Sequence, residues 1–222
     1  MSGIGGARPG TASPRELLAN PIIAVLRADD ATRYERVAAT LVEEGIEFVE
    51  LTLTTPGTIA VLPQLRRALP PSARLGVGTV LTWQQADEAM NAGADYIVTP
   101  SIDSAVINYV VSREVPIYPG GLTPTELQHA WNRGASAVKL FPASAVGPDY
   151  IKQLHGPFPD MRIVPSGGIS LDTAGAWIAA GAEAVSVGGP LVGDSLRGGD
   201  LGELRERARR LRASVDEAIA AR

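Results

Sequence analysis

Phe48-Val49-Glu50-Leu51-Thr52-Leu53, residues 48–53, alternates apolar and mixed positions with the period of a strand. Successive side chains of a strand point to opposite faces, so Val49, Leu51 and Leu53 share one face and Phe48, Glu50 and Thr52 the other. The apolar face has to meet a covering layer, which leaves Glu50 on an enclosed inner side. Residues 137–142, Ala137-Val138-Lys139-Leu140-Phe141-Pro142, repeat the pattern: Val138 and Leu140 face outward, Lys139 and Phe141 inward. Working outward, further β-rich segments stand at Pro21–Arg27, Arg74–Val80, Tyr96–Pro100, Pro116–Gly120, Arg162–Gly168 and Ala184–Gly189. The eight segments start roughly 20 to 27 residues apart, which leaves room in each interval for one helix and two short loops.

The intervals read as helices. Ala31–Gly45 carries Tyr34, Val37, Ala38 and Leu41 at helical spacing and stops at a glycine suited to a C-cap. Trp83–Gly93 and Asp172–Gly181 behave likewise. Thr123-Pro124-Thr125-Glu126 offers a cap followed by a proline at the first helical position. In Leu201–Ala221, Leu204, Ala208, Leu211, Val215 and Ile219 fall on one face. Eight βα units predict a (β/α)8 TIM barrel, a single α/β domain over residues 14–222 with this last helix closing the ring; a doubly wound open sheet is the alternative. Residues 1–13 hold Gly, Pro, Ser and Thr without an apolar run and read as a disordered tail, neither signal nor anchor.

A net charge of −4 gives no electrostatic case for nucleic acid or an anionic membrane, so the expected partner is a small molecule. The run Arg205, Arg207, Arg209, Arg210 and Arg212 is interleaved with Glu203 and Glu206 and reads as a solvated helix face. There is no cysteine, which removes disulfides, thiolate metal sites and a thiol nucleophile together and fits the cytoplasm. The two histidines fall apart, His129 on a helix and His155 in a Gly-Pro-rich loop, so no metal and no other cofactor is expected.

Enclosing a lysine and a carboxylate is costly, and apolar replacements of such pairs often stabilise a protein, so stability alone does not account for Lys139 and Glu50. A lysine with an ordinary pKa near 10.4 presents about one neutral amine in 2,500 at pH 7, and only the neutral amine attacks a carbonyl. A closed, dry interior favours the neutral form. Lys139 is therefore the candidate nucleophile and Glu50 the candidate acid and base, each a few residues before a βα loop, where barrel enzymes carry their chemistry. A buried ion pair without chemistry is the competing reading. So is an isomerase or epimerase with Glu50 as base and Lys139 as its electrostatic partner.

Pro165-Ser166-Gly167-Gly168-Ile169-Ser170 and Val187-Gly188-Gly189-Pro190-Leu191 both precede helices. Paired glycines let backbone N–H groups approach an anion, and barrels bind phosphate after strands seven and eight. Neither loop contains Lys or Arg, so the anion would rest on backbone donors and on Ser166 or Ser170. Arg27 ends the first segment, where it can meet an anionic group or serve as an ordinary surface charge.

With these residues in view, the chain resembles the 2-keto-3-deoxy-6-phosphogluconate aldolase family, which includes phosphogalactonate and 4-hydroxy-2-oxoglutarate aldolases. The resemblance runs from about Pro21 to Leu191. It is carried by Val49-Glu50-Leu51-Thr52, Gly76-Val77-Gly78-Thr79-Val80, Val98-Thr99-Pro100, Val138-Lys139-Leu140-Phe141-Pro142 and Gly167-Gly168-Ile169. It implies a homotrimeric, metal-independent barrel in which Lys139 forms a Schiff base, Glu50 moves protons and Thr79 holds the pyruvate carboxylate. Pro100 and Phe141 would wall the pocket, and the Gly167-Gly168 and Gly188-Gly189 loops would carry the phosphate. Two positions depart from the family: Thr54 stands where many members have arginine, and Pro190 where they have serine. The segment from Ala143 to Pro148 is closer to the phosphogalactonate branch and Ser166 to the phosphogluconate branch. The alternatives within this reading are a 4-hydroxy-2-oxoglutarate or unphosphorylated keto-deoxy acid aldolase, a metal-dependent aldolase, and a silent sugar-phosphate binder.

Overall fold

The computed structural model describes Leu17 and residues 19–222; the tail expected over residues 1–13 lies outside them. Strands β1 (Ile22–Leu26), β2 (Phe48–Thr52), β3 (Arg74–Gly78), β4 (Tyr96–Val98) and β5 (Ile117–Tyr118) join β9 (Val185–Val187) in a parallel sheet of order β5-β4-β3-β2-β1-β9. A second parallel sheet has the order β6-β7-β8, from Gly120–Gly121, Val138–Leu140 and Ile163–Pro165. The segment expected as one strand over Pro116–Gly120 is therefore split. Pro119 has no N–H to give a ladder, and on either side of it the chain pairs first with β4 and then with β7. The other two sheet edges meet at a single parallel bridge, Ser166 to Ser186. The strands before and after Lys139 are also shorter than the sequence segments, because their ends turn into the loops of the site.

Helices α1 (Tyr34–Glu43), α2 (Thr58–Ala68), α3 (Trp83–Asn91), α4 (Ser104–Ser112), α5 (Pro124–Trp131), α6 (Asp149–His155), α7 (Ala174–Ala179), α8 (Gly189–Val192) and α9 (Leu201–Ala220) fill the intervals. Thr123 caps α5 with a reciprocal capping box through Glu126, as its sequence predicts. His155 ends α6 instead of lying in a loop, and its Nε2 is 2.9 Å from the Met161 carbonyl oxygen. His129 Nε2 contacts Ser104 Oγ at 2.9 Å, so the two histidines are engaged separately. No helix among the described residues is long and apolar enough to cross a membrane.

The alternation divides the apolar residues into two cores. Val49, Leu51, Val138, Leu140, Val185 and Val187 belong to the larger, between the strands and the helices. The smaller gathers Leu17, Ile23, Phe48, Tyr96, Val98, Tyr118, Ala137, Val164 and Ala184, drawn from both sheets, on a shared inner face. Tilted aromatic pairs at 5.8 Å (Phe48 and Tyr96) and 5.4 Å (Tyr96 and Tyr118) fill its centre. This apolar layer lies toward the strand beginnings. The next inner positions toward the strand ends are Val25, Glu50, Gly78, Lys139, Ser166 and Ser186, four of them polar, and the layer they form is the floor of the site.

The arginines of α9 stay at the surface, as their interleaving with glutamates predicts, with Arg209 62% and Arg210 55% exposed, but they are not left to solvent alone. Arg205 reaches Glu43 and Glu44, Arg209 reaches Glu44, Arg210 reaches Asp172, and Arg212 donates to the Gly45 carbonyl. A helix docked along its apolar stripe brings its flanking charges within reach of neighbouring loop carboxylates and carbonyls, which composition does not reveal.

Candidate active site

Lys139 Nζ lies 3.8 Å from Glu50 Oε1, with the two side chains 10% and 2% exposed. That separation exceeds a hydrogen bond, so both groups can engage one oxygen atom held between them. The Nζ also sits 5.3 Å from the centre of the Phe141 ring, which gives the ammonium form a face to rest on. Phe141 itself is 38% exposed and forms the rim, not the closed interior that alternation predicts for it. Strand β7 ends at Leu140, so Phe141 already belongs to the turn.

Strand β3 makes room for this pair. A Cβ at Gly78 would fall 1.9 Å from Glu50 Oε1, and one at Gly76 would fall 2.0 Å from the Tyr96 ring. These are the inner positions of β3, and both are bare. Burial, followed by the negative charge of Glu50, pushes the Tyr96 phenol well above its ordinary range, so beneath the pair it stays protonated.

Above the floor opens a cavity of about 730 Å³, the size of a small-molecule site. Glu50, Lys139, Arg27, Thr79, Pro100, Phe141, Ser166, Gly167, Gly168, Gly188 and Gly189 all line it, so of the site residues expected from sequence the structure brings together all but Ser170. Thr79 follows an inner glycine and would turn away in a regular strand. Its φ of +61° breaks the alternation, a conformation that costs a non-glycine residue about 1–3 kcal/mol and recurs at functional sites. Gly167 and Gly168 have φ of +85° and +81°, and side chains there would press on Phe141 and Ser144. Ser166 Oγ is buried and donates to Ser186 Oγ at 3.1 Å.

Three expectations for the glycine loops change. Ser170 does not line the cavity; its hydroxyl accepts the Thr173 N–H at 3.1 Å. After Gly168 the next helix begins only at Ala174, and after Gly188 only the four-residue α8 follows. Backbone N–H groups of the loops, more than helix dipoles, are therefore the neutral donors available. The absence of a basic residue within the loops is also offset, because Arg197 lines the same cavity from a turn over Ser195–Arg197. Ser186, Asp29 and Arg197 escape a reading by segments, while Thr54, where many family members have arginine, does line the cavity. Ser186 is detectable as a polar residue between the valines of β9, whereas Arg197 gives no local signal because it lies beyond the strand and its loop.

An enclosed amine beside an enclosed carboxylate, opening on a cavity of sugar-acid size, is the equipment of a carbon–carbon lyase that works through a Schiff base. Comparison with known proteins agrees: the family model described as KDPG and KHG aldolase matches residues 15–206. The chain is 35% identical over 172 residues to the 2-dehydro-3-deoxy-6-phosphogalactonate aldolase of Escherichia coli K12, covering 77% of this chain and 84% of that one. It is 37% identical over 158 residues to the 2-dehydro-3-deoxy-phosphogluconate aldolase of Haemophilus influenzae, covering 71% and 73%. A solved structure of the KDPG aldolase from Legionella pneumophila, with pyruvate captured at low pH as a covalent carbinolamine intermediate, superposes with a TM-score of 0.83 at 26% identity, covering 90% of this chain and 98% of that one. The chain belongs to the KDPG and KHG aldolase family.

Proposed function

We propose that this protein is a class I aldolase that reversibly cleaves a 2-keto-3-deoxy-6-phospho sugar acid, of gluco or galacto configuration, to pyruvate and glyceraldehyde 3-phosphate. The observation that carries the reading is the enclosed pair, Lys139 Nζ 3.8 Å from Glu50 Oε1. The neutral amine adds to the C2 ketone, giving a carbinolamine whose hydroxyl fits between the two groups. Glu50, as the acid, gives that hydroxyl a proton and water leaves, forming the iminium. Glu50, now the carboxylate, takes the C4 hydroxyl proton; the C3–C4 bond breaks, its electrons pass into the enamine, and the aldehyde departs. Protonation of C3 and addition of water release pyruvate and return the free amine.

Thr79, held at positive φ on the wall, is assigned to the pyruvate carboxylate, Pro100 and Phe141 to the sides of the pocket, and the two glycine loops with Ser166 and Arg27 to the phosphate end. The two sheets are taken as one (β/α)8 ring, a reading supported by the direct passage of the chain through Pro119 and by the Ser166–Ser186 bridge. We further place the enzyme in the cytoplasm as a homotrimer. The exposed Leu81 and Trp83, two residues apart in the segment after β3, suit a surface that a second copy covers.

Borohydride reduction in the presence of pyruvate tests the mechanism. The expected product carries a reduced pyruvate adduct on Lys139, read by peptide mass; an unmodified Lys139 under conditions where the substrate is turned over sinks the Schiff-base reading.

A further inference from the structure

The two ends of the cavity differ in charge. Its lining carboxylates are Asp29 and Glu50, and its lining cations Arg27, Lys139 and Arg197. With Lys139 and Glu50 paired, the rim keeps Arg27 and Arg197 against Asp29, a net excess of one positive charge. Neither rim guanidinium has a hydrogen bond or ion pair from its side chain to another described residue. That separates them from the arginines of α9, each of which is engaged by a named partner.

Arg197 is also held in place through its backbone. Its N–H donates to the Asp194 carbonyl at 2.7 Å, which closes the turn. From α9, Arg207 Nε donates to the Leu191 carbonyl at 2.7 Å, and its Nη2 to the Val192 carbonyl and Ser195 Oγ at 3.1 Å each. One side chain thus braces the segment that runs from the Gly188-Gly189 loop to the turn bearing Arg197. Pro190 and Gly193 of that segment line the cavity beside it, and neither has a side-chain donor.

We infer that Arg197 is a specificity-determining residue that binds the terminal phosphate of the substrate, supplying from outside the glycine loop the donor that Pro190 lacks. The inference rests on the aldolase reading above and deepens it. A guanidinium presents a planar fork of donors matched to phosphate oxygens, and a dianionic group suits a rim with two guanidiniums that have no side-chain partner among the described residues. Backbone N–H groups of the glycine loops would supply the remaining contacts.

Retro-aldol kinetics of the unsubstituted enzyme, Arg197→Met and Arg197→Lys on a 6-phosphorylated 2-keto-3-deoxy acid and on its unphosphorylated counterpart test this. Arg197→Met is expected to raise KM for the phosphorylated substrate by roughly 10- to 100-fold with little change in kcat, so that the preference for phosphate collapses by that factor. Arg197→Lys keeps the charge without the fork and is expected to recover part of it. An unchanged KM for the phosphorylated substrate, or equal losses on both substrates, would overturn the assignment. Borohydride trapping of pyruvate in the same proteins separates the two readings. A normal Lys139 adduct with an unshifted KM removes Arg197 alone, whereas no adduct in the unsubstituted enzyme removes the aldolase reading and the inference with it.

Discussion

The floor of the cavity and its rim are built on opposite principles. On the floor, Glu50 and Lys139 project from the middle of strands, are almost fully enclosed, and have neighbours fixed by strand register. On the rim, Arg27 and Arg197 stand exposed on a strand end and a short turn, and the glycine loops offer backbone in place of side chains. Chemistry and recognition therefore reside in separate parts of the molecule. Bond cleavage needs groups held to within a fraction of an ångström in a dry place, which rigid strands provide. Recognition of a distant charged group needs only a donor within reach, which loops can supply from many chain positions.

If the floor carries the chemistry, damage there should fall on kcat. Glu50→Gln keeps the shape and removes the proton acceptor, so kcat for retro-aldol cleavage is expected to fall by roughly 10²- to 10⁴-fold, with a smaller change in KM. A loss confined to KM would move Glu50 from the floor's chemistry to binding. Gly78→Ala is the next largest break. The added Cβ would fall 1.9 Å from Glu50 Oε1 and 2.6 and 2.7 Å from its Cδ and Cγ, so the whole Glu50 side chain is displaced from its place beside Lys139. A displacement of about 1 Å in a reacting group costs on the order of 10²-fold. Steady-state kcat should therefore drop by about that factor while the circular dichroism spectrum stays unchanged. Normal turnover in Gly78→Ala would show that Glu50 tolerates another position.

The same contrast explains what was legible in the sequence. Alternation in residues 48–53 and 137–142 places Glu50 and Lys139 inward before any coordinates are known, because period-two geometry is local. The helices between the strands follow from apolar spacing and caps, as at Thr123 and Glu126. Three kinds of feature stay hidden. Phe141 and Thr79 depart from alternation because the strand ends at Leu140 in one case and φ turns positive in the other, and both depend on how a loop leaves the sheet. The division at Pro119 depends on which neighbour each half pairs with. Arg197 and the clamps of α9 arise from helix docking, which brings Arg207 to the Leu191 carbonyl and Arg205 to Glu44 across 161 residues of chain.

That docking gives the comparison its finest test. Glu44 accepts hydrogen bonds from Arg209 and Arg205, and these hold its carboxyl below the usual value of 4.5. A depressed folded-state pKa means that the contribution to stability is complete above the unfolded value and is lost as pH falls through the folded one. Glu44→Gln is thus expected to lower Tm by about 2–4 °C at pH 7. The gap should close as pH drops below 4.5 and the carboxyl of the unsubstituted protein becomes protonated. Because α9 also braces the rim through Arg207 and its side chains make no hydrogen bond or ion pair with Lys139 or Glu50, loosening it should touch the two ends unequally. In Glu44→Gln at 25 °C, the rate of pyruvate trapping at Lys139 should stay the same, and any change should appear in KM for the phosphorylated substrate. A slower trapping rate at full folding would show that floor and rim are mechanically joined.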